Sequence, residues 1–287
     1  MTLTLRRPDD VDAFLETAGD FLAAREAEHN LMLGICSVIR TSPERFTEDP
    51  PRFITVADAA GRIVVATLRT PPQNQVLSCV DDPEAVDLLV DALVDESLPG
   101  LLGPKAGASR FAGRWTETTG QPAQLELAER IFRLERVIPP ARPAPGSWRY
   151  GDSSDRELVL RWWIAFLAEA MPQGPAPRDP EGAIDRAIES QWIYLWEDVG
   201  QVVCMVGSGG ETPNGIRIGP VYTPAEHRGR GYASALTAAA SQDQLDRGRR
   251  FVFLFTDLAN PTSNKIYQAI GYAPVCDVDV YRFGADA

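Results

Sequence analysis

Lysine, histidine and cysteine are scarce in this sequence. Two lysines (Lys105 and Lys265) and two histidines (His29 and His227) occur in 287 residues. The four cysteines are far apart and none has CxxC spacing, so a Cys/His metal cluster is not expected. With a net charge of −12, the chain also lacks the basic balance of a nucleic-acid binder. We therefore expect no metal and no nucleic-acid partner.

Long apolar runs are absent as well. No stretch approaches the roughly 20 apolar residues that span a bilayer. Residues 1–20 carry acidic side chains and lack the hydrophobic segment of a secretory signal. The content of 44% hydrophobic and 24% charged residues is that of a globular protein. We expect a cytoplasmic protein without a membrane partner, with one large domain or two ordinary ones.

A proline-rich stretch divides the chain. Residues 138–146 read Ile-Pro-Pro-Ala-Arg-Pro-Ala-Pro-Gly, and several prolines so close together block both helix and sheet interiors. We predict an N-terminal domain over residues 1–138, a linker over 139–147 and a C-terminal domain over 148–287.

The two parts have a similar order of predicted elements. In the C-terminal part these are helices over 155–170 and 180–190, strands over 191–197, 201–207 and 216–223, a helix over 232–246, a strand over 251–256, a helix that starts after Asn260, and strands near 275 and over 278–283. In the N-terminal part these are a helix over 11–26, strands over 53–57, 62–68 and 76–80, a helix over 83–96, a strand over 98–102, a helix over 109–119, and strands over 125–127 and 131–137. The N-terminal part therefore looks like a degenerate copy of the C-terminal part.

A glycine-rich turn is the strongest functional signal. Residues 228–233, Arg-Gly-Arg-Gly-Tyr-Ala, lie between an apolar strand and a run of helix formers. Glycine allows backbone angles that side chains forbid, and the free N–H groups of such a turn favour an anion together with the helix dipole. The turn is a candidate site for a phosphate or pyrophosphate. In the N-terminal part, Asp81 and Asp82 precede the corresponding helix and would repel a phosphate.

A second helix start follows the next strand. Asn260 is a good N-cap and Pro261 suits the first helical position. Tyr267 lies four residues after Ser263, so both side chains share one helix face.

These motifs resemble the GNAT superfamily of N-acetyltransferases. Residues 228–233 match its (Gln/Arg)-x-x-Gly-x-(Gly/Ala) signature, and residues 260–263, Tyr267 and 270–272 match its downstream pattern in order and spacing. The resemblance covers roughly residues 147–285. It implies an α/β (mixed α+β) fold class of two tandem GNAT-like domains, each with a mixed, mostly antiparallel central sheet flanked by helices. It also implies transfer of an acetyl group from acetyl-CoA, as co-substrate, to a primary amine of a small-molecule or peptide acceptor.

The same resemblance implies roles for individual residues. The glycine turn would hold the pyrophosphate of acetyl-CoA, and the strand before it would pair with the pantetheine arm. The backbone N–H of Val221 is a candidate donor to the developing oxyanion, and Tyr267 is a candidate general acid for the departing thiolate. The implied cofactor-binding residues are Val221, Tyr222, Thr223, Arg228, Gly229, Arg230, Gly231, Tyr232, Ala233, Ser234, Asn260, Ser263 and Tyr267.

The sequence does not identify the general base. Many family members have a glutamate on the strand before the loop, but residues 216–220 here read Ile-Arg-Ile-Gly-Pro. The candidates are Glu169, Glu197, Asp198 and Glu226, and a water chain or an amine already partly neutral would serve instead. Two alternatives to acetyl transfer remain, a CoA-binding sensor or interaction module without turnover and a transferase of a larger acyl group. A monomer and a homodimer fit the sequence equally.

Overall fold

The computed structural model describes residues 2–46, 48–170 and 179–284. These residues form eight α-helices, twelve strands and three short 3₁₀ turns, with all strands in one sheet. No helix in these ranges is long and apolar enough to cross a membrane.

The first six strands and four helices form what we call the N-terminal half. In chain order they are β1 (Thr4–Arg6), α1 (Val11–Ala23), α2 (Asn30–Thr41), β2 (Arg52–Ala57), β3 (Ile63–Arg69), β4 (Gln75–Leu77), α3 (Glu84–Leu93), β5 (Gly100–Pro104), α4 (Lys105–Thr119) and β6 (Ala123–Leu134). Local chemistry sets several boundaries. For example, α1 begins where the Asp10 carboxylate accepts the N–H of Ala13.

The remaining strands and helices form the C-terminal half. They are β7 (Ser147–Tyr150), α5 (Arg156–Ala170), α6 (Pro180–Glu189), β8 (Ile193–Asp198), β9 (Gln201–Gly209), β10 (Gly215–Tyr222), α7 (Tyr232–Asp246), β11 (Phe251–Asp257), α8 (Pro261–Ala269) and β12 (Ala273–Phe283). The predicted start of α8 is confirmed, because the Asn260 side chain accepts the N–H of Ser263 and Pro261 occupies the first turn.

The two halves exchange a strand. The order across the sheet is β1-β2-β3-β4-β5-β12-β6-β11-β10-β9-β8-β7. The last strand of the C-terminal half, β12, lies between β5 and β6 and is antiparallel to both. The last strand of the N-terminal half, β6, lies between β12 and β11. Each half therefore completes its sheet with a strand from the other, and an ion pair between Arg130 and Asp277 at 2.6 Å joins the exchanged strands.

Helices cover both faces of this sheet. The cores under α1 and α2 and under α5 and α6 lie on one face, which we call the α5 face. The cores under α3 and α4 and under α7 and α8 lie on the other, the α7 face. Alternation along β6 places Phe132 and Leu134 in the core of the α7 face, whereas Glu129 and Ile131 belong to the α5 face.

Most predicted elements form, with two differences. Strands β6 and β12 are long single strands where the sequence predicts two short ones each, because each is paired along both sides in the shared sheet. Helix α2 and the short edge strands β1 and β7 are not predicted. Residues 135–146 connect β6 to β7 without a helix or strand. The predicted domain boundaries themselves stay a prediction.

Candidate functional site

A gap opens in the sheet between β10 and β11. The parallel pairing of these strands runs from Gly215 opposite Phe251 to Arg217 opposite Phe253. Beyond that level β10 continues alongside β9, and β11 continues alongside β6. A register shift between Ile218 and Val221 accompanies the separation, as a bulge in a strand does. Val221 therefore lies at the edge of the gap.

The glycine turn connects the end of β10 to α7. Gly229 and Gly231 have φ angles of 78° and 87°, in the left-handed region that residues with side chains rarely adopt. Gly231 is the N-cap of α7, and no side chain in the described part of the chain caps the helix there. The first amides of α7 are thus free of side-chain acceptors and, with the helix dipole, suit an anion.

The two arginines of the turn differ in their contacts. Arg228 donates from Nε to the carbonyl oxygen of Thr223 at 2.8 Å, and from Nη2 to Glu169 at 2.7 Å. Arg230 is exposed and donates to the carbonyl oxygen of Glu226 at 3.4 Å. Arg228 therefore holds the turn against the end of β10, whereas Arg230 extends toward solvent.

Tyr232 fixes the start of α7 to the β8–β9 hairpin. Its ring is buried, and its hydroxyl donates to the Asp198 carboxylate at 2.5 Å. The side chain of Tyr232 is therefore part of the core. Only its backbone amide is available to a ligand at the helix N-terminus. Ala233 and Ser234 follow in the first turn and are half-buried.

Helix α8 places Tyr267 on the α7 face of the gap. Tyr267 belongs to the same core cluster as Ile218, and Val221 packs against that cluster. Burial, with Cys204 nearby, raises the pKa of Tyr267 to about 12, so its hydroxyl stays protonated at neutral pH. The neighbouring Thr223 hydroxyl donates to the Cys204 thiol at 3.2 Å. A proton-bearing hydroxyl thus lies beside the strand end that borders the gap.

The four carboxylates that the sequence suggests as bases are either paired with other side chains or exposed. Glu169 and Asp198 accept the hydrogen bonds described above from the turn and from α7. Glu197, on β8, forms an ion pair with Arg149 at 2.9 Å. Glu226 is exposed in the 3₁₀ turn before the glycines. None of the four therefore stands out as a base at the gap.

A carboxylate that sequence reasoning missed lies across the gap from β10, one strand behind β11. Glu129 on β6 is opposite Asp257, the last residue of β11. Burial and the Asp257 charge raise the pKa of Glu129 to about 7, against the opposing effect of Arg217. Burial in turn lowers the pKa of Arg217 to about 10. No local signal separates Glu129 from the exposed Glu126 three residues earlier, because both lie in the N-terminal half, far from the glycine turn in sequence.

In the N-terminal half, the turn after β4 corresponds to the glycine turn, and side chains of this half occupy the space beside it. Beyond β4, His29 Nε2 accepts the backbone N–H of Cys79 at 3.0 Å, while Nδ1 bonds the carbonyl oxygen of Leu22 at 2.9 Å. Asp81 in the same turn forms an ion pair with Arg25 at 2.8 Å. These contacts support the prediction that this half does not bind CoA in the way the C-terminal half would.

An open groove of about 720 Å³ lies on the α5 face beside the end of β10. Its described walls include Trp162, Tyr222, Glu169, Glu226 and His227. The Trp162 and Tyr222 rings have centroids 6.0 Å apart. Aromatic rings next to carboxylates suit a cationic group, so the groove is a candidate surface for a basic acceptor.

Comparison with known proteins agrees with this geometry. Residues 156–275 match the family model described as an acetyltransferase (GNAT) domain. No curated protein sequence matches the chain significantly. Three solved structures are similar along most of their length, with identities low enough that the likeness concerns the fold.

The first is a Drosophila protein with 15% identity and a TM-score of 0.69, covering 98% of each chain. A tandem GNAT protein from the clavulanic acid biosynthesis pathway has 15% identity and a TM-score of 0.58 over 100% of each chain. A GCN5-related N-acetyltransferase from Sphaerobacter thermophilus has 18% identity and a TM-score of 0.57 over 82% of each chain. The predicted fold class, a mixed α/β tandem with mostly antiparallel pairing, is confirmed.

Proposed function

Because residues 156–275 match the acetyltransferase (GNAT) domain model, we propose that the chain transfers an acetyl group from acetyl-CoA to a primary amine. The observation that carries the proposal is the glycine turn beside the gap. Two left-handed glycines lead into a helix whose first amides no described side chain caps. A pyrophosphate needs such a cluster of free N–H groups, and the gap between β10 and β11 offers room for the arm that follows it.

The site residues then have distinct tasks. The backbone of Val221, Tyr222 and Thr223 pairs with the amide-bearing arm, and the amides from Gly229 to Ser234 hold the pyrophosphate. Asn260 and Ser263 lie at the start of α8, where the Asn260 side-chain oxygen is already used for capping. Arg228 and Arg230 reduce the negative charge of the phosphates.

The chemistry is a direct displacement in which the site supplies proximity and alignment. A neutral amine attacks the thioester carbonyl, and the backbone N–H of Val221 stabilises the developing oxyanion. The Tyr267 hydroxyl protonates the departing thiolate. A module that only binds CoA has no use for that proton, so the buried hydroxyl favours turnover over a sensor role.

Replacing Gly229 or Gly231 tests the binding site. A valine at either position is strained, since both backbones are left-handed, and the turn should move its amides away from the anion. We expect acetyl-CoA affinity, measured by calorimetric titration, to fall at least about tenfold, which corresponds to 1.4 kcal/mol.

Gly248 provides a matched control. It also has a positive φ, and an added Cβ there meets no atom within 4 Å, but it lies beyond the other end of α7. Gly248→Val should therefore incur a similar strain and leave acetyl-CoA affinity unchanged. Equal affinity in all three variants and the wild type would show that the turn is not the pyrophosphate site.

The activity itself is measured as CoA thiol released from acetyl-CoA in the presence of primary amines. Release that depends on the amine supports the proposal. Transfer of longer acyl groups is tested with the corresponding acyl-CoA donors, because the turn contacts only the CoA end.

A further inference from the structure

The strand that borders the gap carries no carboxylate of its own. Between Gly215 and Tyr222, β10 has a single charged residue, Arg217. The proposed transfer nevertheless needs a neutral amine, and most primary amines are protonated at neutral pH. A base must therefore come from another element.

We propose that Glu129, on the strand that the N-terminal half inserts into the sheet of the C-terminal half, is the general base that takes a proton from the acceptor amine. This inference rests on the acetyl transfer proposed above. It gives the N-terminal half a catalytic task although that half lacks a glycine turn of its own.

Strand register places Glu129 within about one residue of the level of Val221, the proposed oxyanion donor. Arg217 and Phe253 are the last directly paired residues of β10 and β11. Val221 and Asp257 each lie four residues beyond that pair, but the register shift in β10 places Val221 about one residue lower than Asp257 across the gap. Glu129 is directly opposite Asp257 on the next strand, about 5 Å farther across the sheet.

The base and the acid lie on opposite faces of the gap. Tyr267 belongs to the core of the α7 face. Glu129 lies on the α5 face with Arg217 and Asp257, as the alternation along these three strands requires. An amine that approaches from the α5 face is on the same side of the sheet as Glu129, and the thiolate leaves toward Tyr267 on the other side.

The Glu129 carboxylate is not engaged by another described side chain and can accept a proton. Within the described ranges it has no hydrogen bond and no ion pair within 4.0 Å, and the residue is half-buried. Arg217 affects it only through the electrostatic field. The Arg217 Nη1 is itself buried and has no hydrogen-bond partner among those residues, so it does not neutralise Glu129 in a tight pair.

Burial and the neighbouring charges bring the pKa of Glu129 close to neutral pH. Asp257 and burial raise the pKa of Glu129 to about 7, and Arg217 opposes them. On β12 the residue opposite Glu129 is the apolar Val278. From the segment between α1 and α2, Glu28 and His29 line a small cavity beside Ile131 on the same face. A base works best when its pKa lies near the working pH.

The proposed transfer moves one proton to Glu129 and replaces the C–S bond of the thioester with a C–N bond. Glu129 accepts one proton from the ammonium group, and the freed nitrogen lone pair forms the C–N bond to the thioester carbonyl carbon. The C–S bond then breaks, the sulfur takes a proton from Tyr267, and the new amide nitrogen releases its extra proton, which restores Tyr267. The products are the N-acetylated amine, CoA thiol and one proton passed from Glu129 to solvent.

The variant Glu129→Gln tests the assignment with two amines of different protonation state. Benzylamine is an ammonium ion at neutral pH and needs the base, whereas hydroxylamine is already largely neutral. We expect kcat/KM for benzylamine to fall about 100-fold or more and the hydroxylamine rate and acetyl-CoA affinity to stay near those of the wild type. In the wild type, the pH profile of the benzylamine rate should show an inflection near pH 7, where Glu129 loses its proton. The variant should lack this inflection, and its residual rate should rise only with the neutral fraction of the amine.

Glu126→Gln is the matched control, because Glu126 lies on the same strand and is exposed. It should behave as the wild type with both amines. Full benzylamine activity in Glu129→Gln, or an equal loss with both amines, would overturn the inference and leave acetyl transfer standing. A wild-type protein that releases thiol with neither amine would overturn the proposed function, and the inference with it.

Discussion

At the scale of single residues, Tyr267 combines burial with an ionisable hydroxyl. Its side chain is 8% exposed, and burial raises its pKa to about 12. The hydroxyl therefore stays protonated throughout the range in which the protein can be assayed. We expect Tyr267→Phe to lower kcat by about 100-fold without weakening acetyl-CoA binding, as measured by steady-state kinetics and calorimetric titration.

Tyr272→Phe is the control for this substitution. The two rings contact each other edge to face at 6.0 Å, and the Tyr272 hydroxyl is hydrogen-bonded to Ser241 at 2.8 Å. Losing that hydrogen bond should lower the free energy of unfolding, whereas kcat should stay within a few-fold of the wild-type value. If Tyr267→Phe kept the wild-type kcat across pH, the acid assignment would be wrong.

At the scale of elements, His29 connects the start of α2 to the end of β4. The ring is 2% exposed and bridges Leu22 and Cys79. Burial is the main reason that its pKa is lowered from 6.5. Below pH 6.5 the unfolded chain binds a proton that the folded chain resists, so this residue's contribution to stability is present above pH 6.5 and is lost on acidification.

The consequence is measurable by urea unfolding between pH 7.5 and 5.5. We expect the stability difference between the wild type and His29→Gln to shrink as the pH falls, by at most about 1.4 kcal/mol per pH unit. Comparing variants at each pH cancels the opposite contribution of Glu129. A constant difference for His29→Gln would contradict the burial argument.

At the scale of the whole molecule, the exchanged strands lead us to expect that the two halves unfold as one cooperative unit. Trp115 on α4 is fully buried and stacks on Phe283 of β12, with ring centroids 5.1 Å apart. From the loop after α1, Glu26 accepts hydrogen bonds from Thr212 at 2.5 Å and from the Asn214 backbone at 2.7 Å. Removing either half would leave β6 or β12 without a partner.

Trp115→Ala should therefore destabilise both halves together. We expect a loss of about 3–5 kcal/mol in the free energy of unfolding and a single shifted transition in calorimetry. Acetyl-CoA binding should be lost at the same temperature. Trp148→Ala on edge strand β7, where the ring is 37% exposed, should cost much less. A C-terminal half that kept its own wild-type transition would show that the halves unfold independently.

Sequence and structure agree at several features whose signal is local. The α8 cap depends on Asn260 and Ser263, three residues apart. The β8–β9 turn includes Gly200, whose positive φ angle suits a tight hairpin. The glycine turn likewise owes its conformation to residues within it. Such features follow from backbone preference and short-range hydrogen bonds, which a single sequence displays.

The sequence by itself determined the family motifs, most helices and strands, and the conformation of the glycine turn, because each depends on neighbours in the chain. Tertiary structure alone decided which strands lie side by side. Periodicity shows that β6 and β12 have faces to bury but does not identify partners more than 100 residues away, such as Glu129 opposite Asp257. The placement of Glu129 at the gap therefore comes from long-range strand pairing, which hydrophobic pattern alone does not encode.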